Sequence, residues 1–511
     1  MDQEINALLN NSTWTLVSQL PAGRKAIPCK WVYKIKYDEN GKPVRYKARL
    51  VVKGFMQKYG IDYNETYAPV MKYDSLRLLL AIATSLDLEI KQFDVDNAFL
   101  NALLNEDIYM QQPEGYVNLK FSNAVLKLLK SLYGLKQAPY EWNDDVNETL
   151  LSLGFKRCAS DSCVYYYENT FSGKPILIGL FVDDILVCYD LTDEPTWLRL
   201  KTNIIQKYKI KEMGDAKFIL GIRIIRDRPN RILKLDQSAY IDKILNKFDM
   251  KGYTRSPASR PGTDVMDLKF EPNEPVLIQQ FINRYQQMVG SLNYAAISTR
   301  PDISHSVSVC ARYASKPQAK HLEAVNRVYS YLSGTIDKSL IMKAGSSSDV
   351  IHLSAYADSD HAGDPEERKS TSGFLIQLNN CLISWYSKKQ TSVARSTCEA
   401  EIIAYGEAIK QLQWLRNFVQ EIKLSYNNSS NSDPITLYCD NASSVIIGHK
   451  DLADSKTKHI AVNYNYVKLL VIEKIIDIRW IPSKNQLADV LTKALDRIKF
   501  KYLTDKIMGE C

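Results

Sequence analysis

Hydrophobic and polar positions along the chain follow the two periods that are typical of strands and helices. In the first half they predict a helix and a strand before residue 20, a hairpin over 31–52, a buried helix over 75–86, a strand entering a helix over 91–100, helical structure over 124–153, a strand pair over 215–225 and a helix over 237–248. Residues 281–332 are helical in pattern, and from residue 350 the predicted order is strand, hairpin, helix, strand, two helices, strand and helix. Such a mixture indicates a multidomain protein of the α+β or mixed α/β class.

Two breaks in composition divide the chain. Residues 253–274 are rich in Pro, Ser, Gly, Arg and Asp, and residues 344–349 form a short stretch rich in Gly and Ser. With 511 residues, 45% of them hydrophobic, the chain is long enough for about three domains with their own cores. We therefore predict domains over 1–250, 251–349 and 350–495, followed by a tail over 496–511.

The most unusual local feature is a pair of adjacent acidic residues, Asp183 and Asp184, between two almost wholly apolar runs in residues 176–188. Both runs have the length and the β-branched content of strands, which predicts a hairpin with the two aspartates at its turn. Neighbouring carboxylates in apolar surroundings repel each other and lose hydration, so a bound cation such as Mg²⁺ would stabilise them. A solvated turn is the alternative, because Asp also favours turns.

A third acidic residue, Asp94, lies at the end of a predicted strand, 89 residues before Asp183. Asp96 would share its strand face, but Asp94 is preferred because Phe99 and Leu100 place a helix just beyond it. Three carboxylates that converge in this way are able to hold two metal ions for phosphoryl transfer.

Charge and composition narrow the classes of partner. Lys+Arg exceeds Asp+Glu only by 66 to 58, but eleven basic and two acidic residues fall between Arg24 and Lys58, interleaved with aromatic residues. Such a segment suits nucleic acid, although a solvated charged hairpin would share the pattern. The nine cysteines form no CxxC or Cys/His cluster, and no apolar run approaches the roughly 20 residues that span a membrane. We expect a soluble intracellular protein with free thiols and without zinc sites.

The last predicted domain carries a second set of acidic residues at the ends of elements. Asp358 and Asp440 each end a predicted strand. Ser483 is a candidate cap for a late helix that presents Asp489.

The long helix between these strands offers two further acids. Glu401 extends the apolar stripe of the helix, four residues before Tyr405, whereas Glu399 lies off that face. The periodicity favours Glu401 as the fourth acid of the set and leaves Glu399 open.

Six strings occur in the order in which they are found in the reverse transcriptase of copia-type long-terminal-repeat retrotransposons: KARLVVKGF, FDVDNAFLNALL, IYMQQPEGY, LYGLKQAP, GLFVDDILV and FILGIRI. The chain resembles that family over residues 13–248. The resemblance implies a right-hand polymerase with fingers, palm and thumb. It also implies that Asp94, Asp183 and Asp184 hold two Mg²⁺ ions, for which Mn²⁺ can substitute.

The same resemblance implies contacts with nucleotide, template and primer. Phe99 corresponds to the aromatic residue that excludes a ribose 2′-hydroxyl, and core packing is its structural alternative. Tyr133 and Gly134 belong to the loop over the incoming nucleotide. Lys47, Arg49 and Lys53 lie on the fingers strand, where Arg49 is expected to contact the triphosphate by charge-assisted bonding. Leu220 and Gly221 correspond to the strand that grips the primer end. Lys47 and Lys53 are equally compatible with solvated surface charges.

The strings ADSDHAGD, RKSTSG, SWYSKKQ, STCEAE, LYCDNASS, TKHI and QLADVLTKAL resemble the ribonuclease H domain attached to copia-type polymerases, over residues 350–495. This implies that Asp358, Glu401, Asp440 and Asp489 hold two Mg²⁺ ions for cleavage of RNA in an RNA–DNA hybrid. Two departures stand out. Asn465 stands where relatives usually have a His, and this change is expected to affect packing or substrate contact rather than metal binding. Ser359-Asp360-His361 follows the first acid where an Ala-Asp-Trp-like string is commoner, and Asp360 is expected to be exposed.

We therefore expect an RNA-directed DNA polymerase joined to a ribonuclease H, which converts retrotransposon RNA into cDNA. The expected partners are RNA template, DNA primer, RNA–DNA hybrid and dNTPs, with integrase or a second copy of the chain as further candidates and no membrane. The expected location is a cytoplasmic virus-like particle, with nuclear entry alongside cDNA. Because protease, integrase and zinc-knuckle signatures are missing, we expect the C-terminal part of a polyprotein. The alternative is a catalytically silent remnant or scaffold that binds nucleic acid or integrase.

Overall fold

The computed structural model describes residues 1–37, 43–252, 258–344, 351–424, 434–449 and 461–510. The turn predicted at residues 39–41, parts of both predicted breaks and the TKHI string lie outside these residues. The helices of the described residues are α1 Asp2–Asn10, α2 Tyr73–Ser85, α3 Ala138–Ser152, α4 Glu194–Lys207, α5 Ser238–Lys247, α6 Gln279–Ser298, α7 Ser304–Ala311, α8 Ala319–Ser333, α9 Thr397–Glu421, α10 Ala442–His449, α11 Ala461–Ile472 and α12 Arg497–Ile507. The strands are β1 Trp14–Val17, β2 Cys29–Tyr37, β3 Pro43–Val52, β4 Glu89–Val95, β5 Leu103–Met110, β6 Val125–Lys130, β7 Lys156–Arg157, β8 Val164–Tyr167, β9 Ile176–Phe181, β10 Asp184–Tyr189, β11 Ile210–Asp215, β12 Phe218–Ile219, β13 Ile222–Asp227, β14 Ile232–Asp236, β15 Leu340–Lys343, β16 Leu353–Asp360, β17 Thr371–Leu378, β18 Cys381–Lys389, β19 Ile435–Cys439 and β20 Ile476–Trp480.

The chain forms two compact units. The first unit consists of Met1–Met71 and Lys91–Asp215, and the second unit consists of Lys72–Ile90 and Ala216–Cys511. The predicted domain boundaries at residues 250, 349 and 495 remain predictions.

A six-stranded sheet in the order β11-β4-β10-β9-β8-β7 forms the centre of the first unit. The two apolar runs around the paired aspartates are β9 and β10, as predicted, and every residue of β9 except Phe181 is buried. The turn between them differs from the prediction. Its two residues are Val182 and Asp183, because Asp184 already pairs with Phe181 as the first rung of the ladder. Val182 has a positive φ of 57°, which a tight hairpin turn requires.

Two smaller sheets complete the first unit, with the strand orders β1-β6-β5 and β2-β3. Here one prediction was wrong, because residues 125–130 form a strand rather than helix. Leu126 and Leu128 are buried and their neighbours are less so, which is a period of two, and β6 pairs with β1 on one side and β5 on the other. The predicted helix begins only at Ala138, after a turn in which Gly134 has a φ of +94°.

A five-stranded sheet in the order β18-β17-β16-β19-β20 lies in the second unit. Strands β18, β17 and β16 are antiparallel, whereas β16, β19 and β20 are parallel. Helix α9 packs on β16 and β17, and the hairpin turn at Asn379 and Asn380 has positive φ at both residues, as its sequence favours. The predicted order of elements from residue 350 is confirmed as far as β20, but residues 483–491 form two short 3-10 turns instead of the predicted late helix. The predicted fold class, a multidomain mixture of helix and sheet, is confirmed.

The second unit also contains a sheet in the order β12-β13-β14-β15 and the helices α5 to α8. Helices were predicted for residues 237–248 and 281–332, and both predictions are confirmed. Among the described residues, none of the helices combines the length and the apolar character that crossing a membrane would need.

A buried arginine in α2 links three elements of the second unit. The guanidinium of Arg77 donates hydrogen bonds to the carbonyl oxygens of Ile383 in β18, at 2.6 Å, and of Ile297 and Ser298 in α6, at 2.8 and 2.9 Å. It also pairs with Asp74 and lies 4.0 Å from the centroid of the Trp385 ring. A single side chain thus fixes α2 against the edge strand of the five-stranded sheet.

Replacing this arginine tests its contribution to stability. Arg77→Met should lower the free energy of unfolding by about 3–5 kcal/mol, because Asp74 loses its cation and three carbonyl groups, two of them in buried contacts, lose their donor. The measurement is urea denaturation followed by tryptophan fluorescence. Arg223→Met, at an exposed position of β13, is the control and should change the value by no more than about 0.5 kcal/mol. Equal effects of the two substitutions would contradict the role assigned to Arg77.

Candidate active sites

Three carboxylates lie at one edge of the six-stranded sheet in the first unit. Asp94 is the last residue but one of β4, Asp183 lies in the turn after β9, and Asp184 begins β10. The backbone N–H of Val95 donates to the carbonyl oxygen of Asp183 at 2.9 Å, which ties the end of β4 to the turn. The indole N–H of Trp142 donates to the carbonyl oxygen of Val182 at 2.6 Å and holds the turn from α3. The sequence-predicted polymerase acids are therefore brought together.

Their charges influence one another. Partial burial, followed by the charges of Asp183 and Asp96, raises the pKa of Asp94 above its usual range. Burial and the charges of Asp183 and Asp94 likewise raise the pKa of Asp184, against a hydrogen bond of 3.2 Å donated by Gln92. Mutual repulsion of this kind is what a divalent cation relieves, so the residues fit such an ion. Asp94, Asp183 and Asp184 are more widely spaced than a compact metal site, because they do not have one oxygen each within 4.8 Å of the others.

Three residues implied in nucleotide binding lie beside these acids in the first unit. The Phe99 and Tyr133 rings meet edge to face with centroids 5.4 Å apart, and the Arg49 guanidinium lies 5.1 Å from the Tyr133 centroid. Phe99 is half-buried at the margin of two apolar cores, so core packing accounts for only part of its surface. The Nε atom of Arg49 is buried without a hydrogen-bond partner. The charge of Asp183 contributes to a raised pKa of Tyr133, behind the larger effect of burial.

The loop that carries Tyr133 and Gly134 packs directly on β3. The backbone N–H of Val52 donates to the carbonyl oxygen of Tyr133 at 2.8 Å. A Cβ atom on Gly134 would lie 2.1 Å from the carbonyl oxygen of Val52, and one on Gly54 would lie 1.9 Å from that of Gly134, so both glycines are required. Lys53 is half-buried and directly follows the last residue of β3 instead of lying on the strand, which corrects the prediction.

The charge of Lys47 lowers the pKa of Asp94 as a minor contribution. Leu220 and Gly221 lie in the second unit and form the turn between β12 and β13 rather than part of a strand, which corrects the prediction. Both have positive φ, and the Tyr294 hydroxyl donates to the carbonyl oxygen of Leu220 at 2.5 Å. Their contact with a primer remains a prediction.

A second and tighter set of carboxylates lies in the second unit. Asp358 is in β16, Asp440 directly follows the parallel neighbour β19, and Asp489 is in a 3-10 turn over Leu487–Leu491. One oxygen of each of these three carboxylates lies within 4.8 Å of the other two. Among the described residues, no other group of three or more His, Cys, Asp or Glu side chains is as close together.

The turn that carries Asp489 is held by Gln486. Its side-chain amide donates to the carbonyl oxygen of Ala357 at 2.9 Å, and its side-chain oxygen accepts from the N–H of Ala488. The predicted cap at Ser483 was wrong, because Ser483 begins a separate short turn without a side-chain cap.

The structure separates the two glutamates of α9. Glu399 is half-buried and accepts a hydrogen bond of 2.7 Å from the N–H of Arg395, while the Ser396 hydroxyl accepts from the N–H of Glu399. Ser396 is therefore the N-cap of α9, and Glu399 accepts from the residue before the cap. Glu401 is buried, its carboxylate accepts from the N–H of Ser359, and its Oε2 atom has no hydrogen-bond partner.

Burial and like charges dominate the electrostatics of this site. Burial and the charge of Asp489 raise the pKa of Asp358. Burial and the charges of Asp358 and Asp440 raise the pKa of Glu401 well above the usual value of a glutamate. Clustered carboxylates and an unpartnered buried oxygen form a donor set that suits a divalent cation such as Mg²⁺.

Sequence reasoning missed the residues that contact these acids. The Nζ atom of Lys493 lies 2.8 Å from Asp489 and 3.5 Å from Asp358, Lys499 pairs with Asp489, and the Thr492 hydroxyl donates to Asp358. The spacing of four residues between Asp489 and Lys493 was the available signal. In the first unit, the position of Gln92, two residues before Asp94 on the same strand, was a similar signal.

Of the two departures from the family pattern, one expectation was wrong. Asp360 is half-buried rather than exposed, and burial raises its pKa. Asn465 in α11 is exposed, so it does not serve packing, and a substrate contact remains open.

The charge crowding predicts an unusual pH dependence. The pKa of Asp358 is raised to about 7, so the folded state favours the protonated carboxyl group. The folded chain must give up that proton as the pH rises from about 4 through about 7, and its free energy of unfolding falls over this range. In EDTA, Asp358→Asn should therefore raise the free energy of unfolding more at pH 8 than at pH 5. The extra gain should be up to about 3 kcal/mol, since one pKa unit corresponds to about 1.4 kcal/mol. Urea denaturation at the two pH values is the measurement, and the exposed Asp267→Asn is the control. An equal gain at both pH values would contradict the raised pKa of Asp358.

Comparison with known proteins supports the motif resemblance. Residues 11–258 match the family described as reverse transcriptase (RNA-dependent DNA polymerase). A retrovirus-related Pol polyprotein from transposon TNT 1-94 of Nicotiana tabacum is 40% identical, over 99% of this chain and 37% of that protein. The chain spans 33–37% of the length of the three plant polyproteins of this kind that it matches. A solved foamy viral protease-reverse transcriptase in complex with double-stranded DNA is 15% identical, with a TM-score of 0.49, over 94% of this chain and 69% of that chain.

A shorter relative is matched over its entire length. The transposon Ty5-1 protein of Saccharomyces cerevisiae is 34% identical, and the alignment covers 62% of this chain and 100% of that protein. Together with the ordered motifs and the two sets of carboxylates, this match shows that the chain belongs to the family of copia-type retrotransposon Pol polyproteins.

Proposed function

We propose that the chain is an RNA-directed DNA polymerase that copies retrotransposon RNA into cDNA. The observation that carries this proposal is in the first unit, where Asp94, Asp183 and Asp184 lie at one edge of the six-stranded sheet. The contacting group Arg49, Phe99 and Tyr133 is close enough for the charge of Asp183 to act on Tyr133. Acids that repel one another beside a buried, unpartnered arginine nitrogen suit a nucleotide triphosphate that arrives with its cations.

In the proposed reaction, the primer 3′-hydroxyl attacks the α-phosphate of a dNTP and pyrophosphate leaves. Bound Mg²⁺ would supply charge neutralisation and polarisation of the phosphate oxygens. The chain itself supplies the three carboxylates as ligands and Arg49 as a charged donor toward the triphosphate. Phe99, packed edge to face against Tyr133, provides a wall beside the sugar.

A second activity, cleavage of the RNA strand of an RNA–DNA hybrid, is proposed for the second unit. It is favoured by the group Asp358, Asp440 and Asp489, together with the buried Glu401 whose Oε2 atom lacks a partner. In this reaction water attacks a phosphodiester of the RNA, the P–O3′ bond breaks, and the products carry a 5′-phosphate and a 3′-hydroxyl. The four acids would hold the Mg²⁺ that activates the water.

The partners that follow from these reactions are RNA template, DNA primer, RNA–DNA hybrid and dNTPs. Integrase and a second copy of the chain are proposed as further partners. A cytoplasmic virus-like particle, with nuclear entry alongside cDNA, is the location that suits such a reaction.

The two activities can be separated by substitution. On a primed RNA template with Mg²⁺, Asp183→Asn should reduce primer extension by at least about 100-fold and leave RNA cleavage intact, because loss of one electrostatic contact to a transition state is of this order. Asp358→Asn should do the reverse, and Asp267→Asn should change neither. If the folded wild-type chain binds hybrid but neither extends nor cleaves it, the alternative of a silent remnant or scaffold is correct.

Sugar selection tests the role of Phe99. Phe99→Ala should lower the preference for dNTP over rNTP, measured as the ratio of kcat/KM values, by about 10- to 100-fold, because a space opens beside the 2′ position. Phe121→Ala, at an exposed position of the first unit, is the control. If the ratio stays the same while stability falls, Phe99 serves core packing only.

A further inference from the structure

A lysine lies inside the proposed ribonuclease site without a role in the reaction as described so far. The Lys493 ammonium bridges two of the proposed metal ligands, 2.8 Å from Asp489 Oδ1 and 3.5 Å from Asp358 Oδ2. Both carboxylate side chains are almost completely buried, whereas that of Lys493 is 39% exposed. The ammonium thus enters the acidic cluster from its solvent side.

The neighbouring residues explain why the lysine reaches this position. Thr492 donates its hydroxyl to Asp358, which fixes the backbone just before Lys493. Thr492 can approach because Gly373, opposite Asp358 in β17, has no side chain: a Cβ atom there would lie 2.6 Å from Thr492 Cγ2. The sequence between Asp489 and Lys493 forms a compact turn, so that the spacing of four residues returns the ammonium to Asp489.

We propose that Lys493 is an internal counter-ion that competes with the divalent cation for Asp358 and Asp489 and, once displaced, contacts the scissile phosphate of the RNA. This inference rests on the proposed ribonuclease function and adds a positioning residue to it.

The charge balance supports the first half of this proposal. Four carboxylates, Asp358, Glu401, Asp440 and Asp489, repel one another in a poorly hydrated site. A cation placed between them relieves that repulsion, and Lys493 is the residue that touches two of them. A divalent cation needs the same oxygens, so the two cations exclude each other there.

The proposed contact with the phosphate follows from the position of the Lys493 ammonium after a divalent cation has displaced it. When the carboxylates bind a divalent cation, Lys493 loses its anionic partners but remains attached to a fixed backbone beside them. Its long, half-exposed side chain can then pair with the nearest anion, which in a bound hybrid is the RNA phosphate. A lysine that donates to a phosphate as a point charge is common in such sites.

Lys499 gives an internal comparison. It pairs with Asp489 only, from the first turn of α12, and makes no bridge to Asp358 in the described contacts. Its removal should therefore change metal binding less than the removal of Lys493. Lys501, on the same helix, pairs with the remote Asp505 and is a matched control.

Metal binding, rather than activity, is the first test. Titration calorimetry with Mg²⁺ is performed on the full chain carrying Asp183→Asn and Asp184→Asn, so that the heat reports the second site. In that background Lys493→Gln should bind Mg²⁺ about tenfold more tightly, Lys499→Gln should show a smaller gain, and Lys501→Gln should show none. The metal-free Lys493→Gln protein should also melt at a lower temperature. If its Mg²⁺ affinity is unchanged or weaker, the proposal is overturned.

Cleavage kinetics test the contact with phosphate. Lys493→Gln should lower kcat for hybrid cleavage by at least about tenfold despite its tighter metal binding, and Lys493→Arg should restore most of the rate because the charge is kept. Unchanged kcat in Lys493→Gln would overturn the phosphate contact. A separate result marks failure of the proposed function itself: if Asp358→Asn in the same background binds Mg²⁺ as well as its parent, no metal site exists there for Lys493 to regulate.

Discussion

The repulsion between carboxylates held close together is the interaction on which both candidate sites depend. In water, charges at such distances interact weakly, but in partly buried surroundings the same repulsion is several times larger. It appears here as raised pKa values of Asp94, Asp184, Asp358 and Glu401, for each of which burial is the larger cause and neighbouring acids add to it. A fold can keep such groups together only if the backbone around them is rigid enough to resist their separation.

The two units provide that rigidity in different ways. In the first unit, two acids sit on one tight hairpin whose strands are almost entirely buried, and an indole from α3 holds its turn. In the second unit, each acid comes from a different segment, so the segments must be fixed separately. Parallel pairing of β16 with β19 aligns Asp358 and Asp440, and the N-cap Ser396 starts α9 five residues before Glu401. Gln486 attaches the turn of Asp489 to β16. More separate connections are needed because the acids are farther apart in sequence.

The sequence predicted the features that depend on local pattern and missed those that depend on contacts between distant segments. The hairpin around Asp183, the strands that carry Asp358 and precede Asp440, and the helix of Glu401 follow from periodicity and are observed, although β16 continues to Asp360. Residues 125–130 were mistaken for helix because their period of two becomes decisive only when β1 and β5 pair with them. The role of Gly373 could not be seen either, because it depends on Thr492, 119 residues away (492 minus 373).

The deeper burial of the carboxylates in the second unit also explains why lysine side chains contact them directly there. In the first unit Asp183 is exposed, so water can solvate one member of the set, and the charges of Lys211 and Lys47 lower the pKa of Asp94. In the second unit Asp358 and Asp489 are almost entirely removed from water, and lysine side chains make direct contact with them. A buried carboxylate without solvent or a partner would be far too costly to maintain in its charged form. The ammonium contacts in the second unit are therefore a consequence of its deeper burial, and a cation that enters there has to replace them, whereas in the first unit it has to displace mainly water from Asp183.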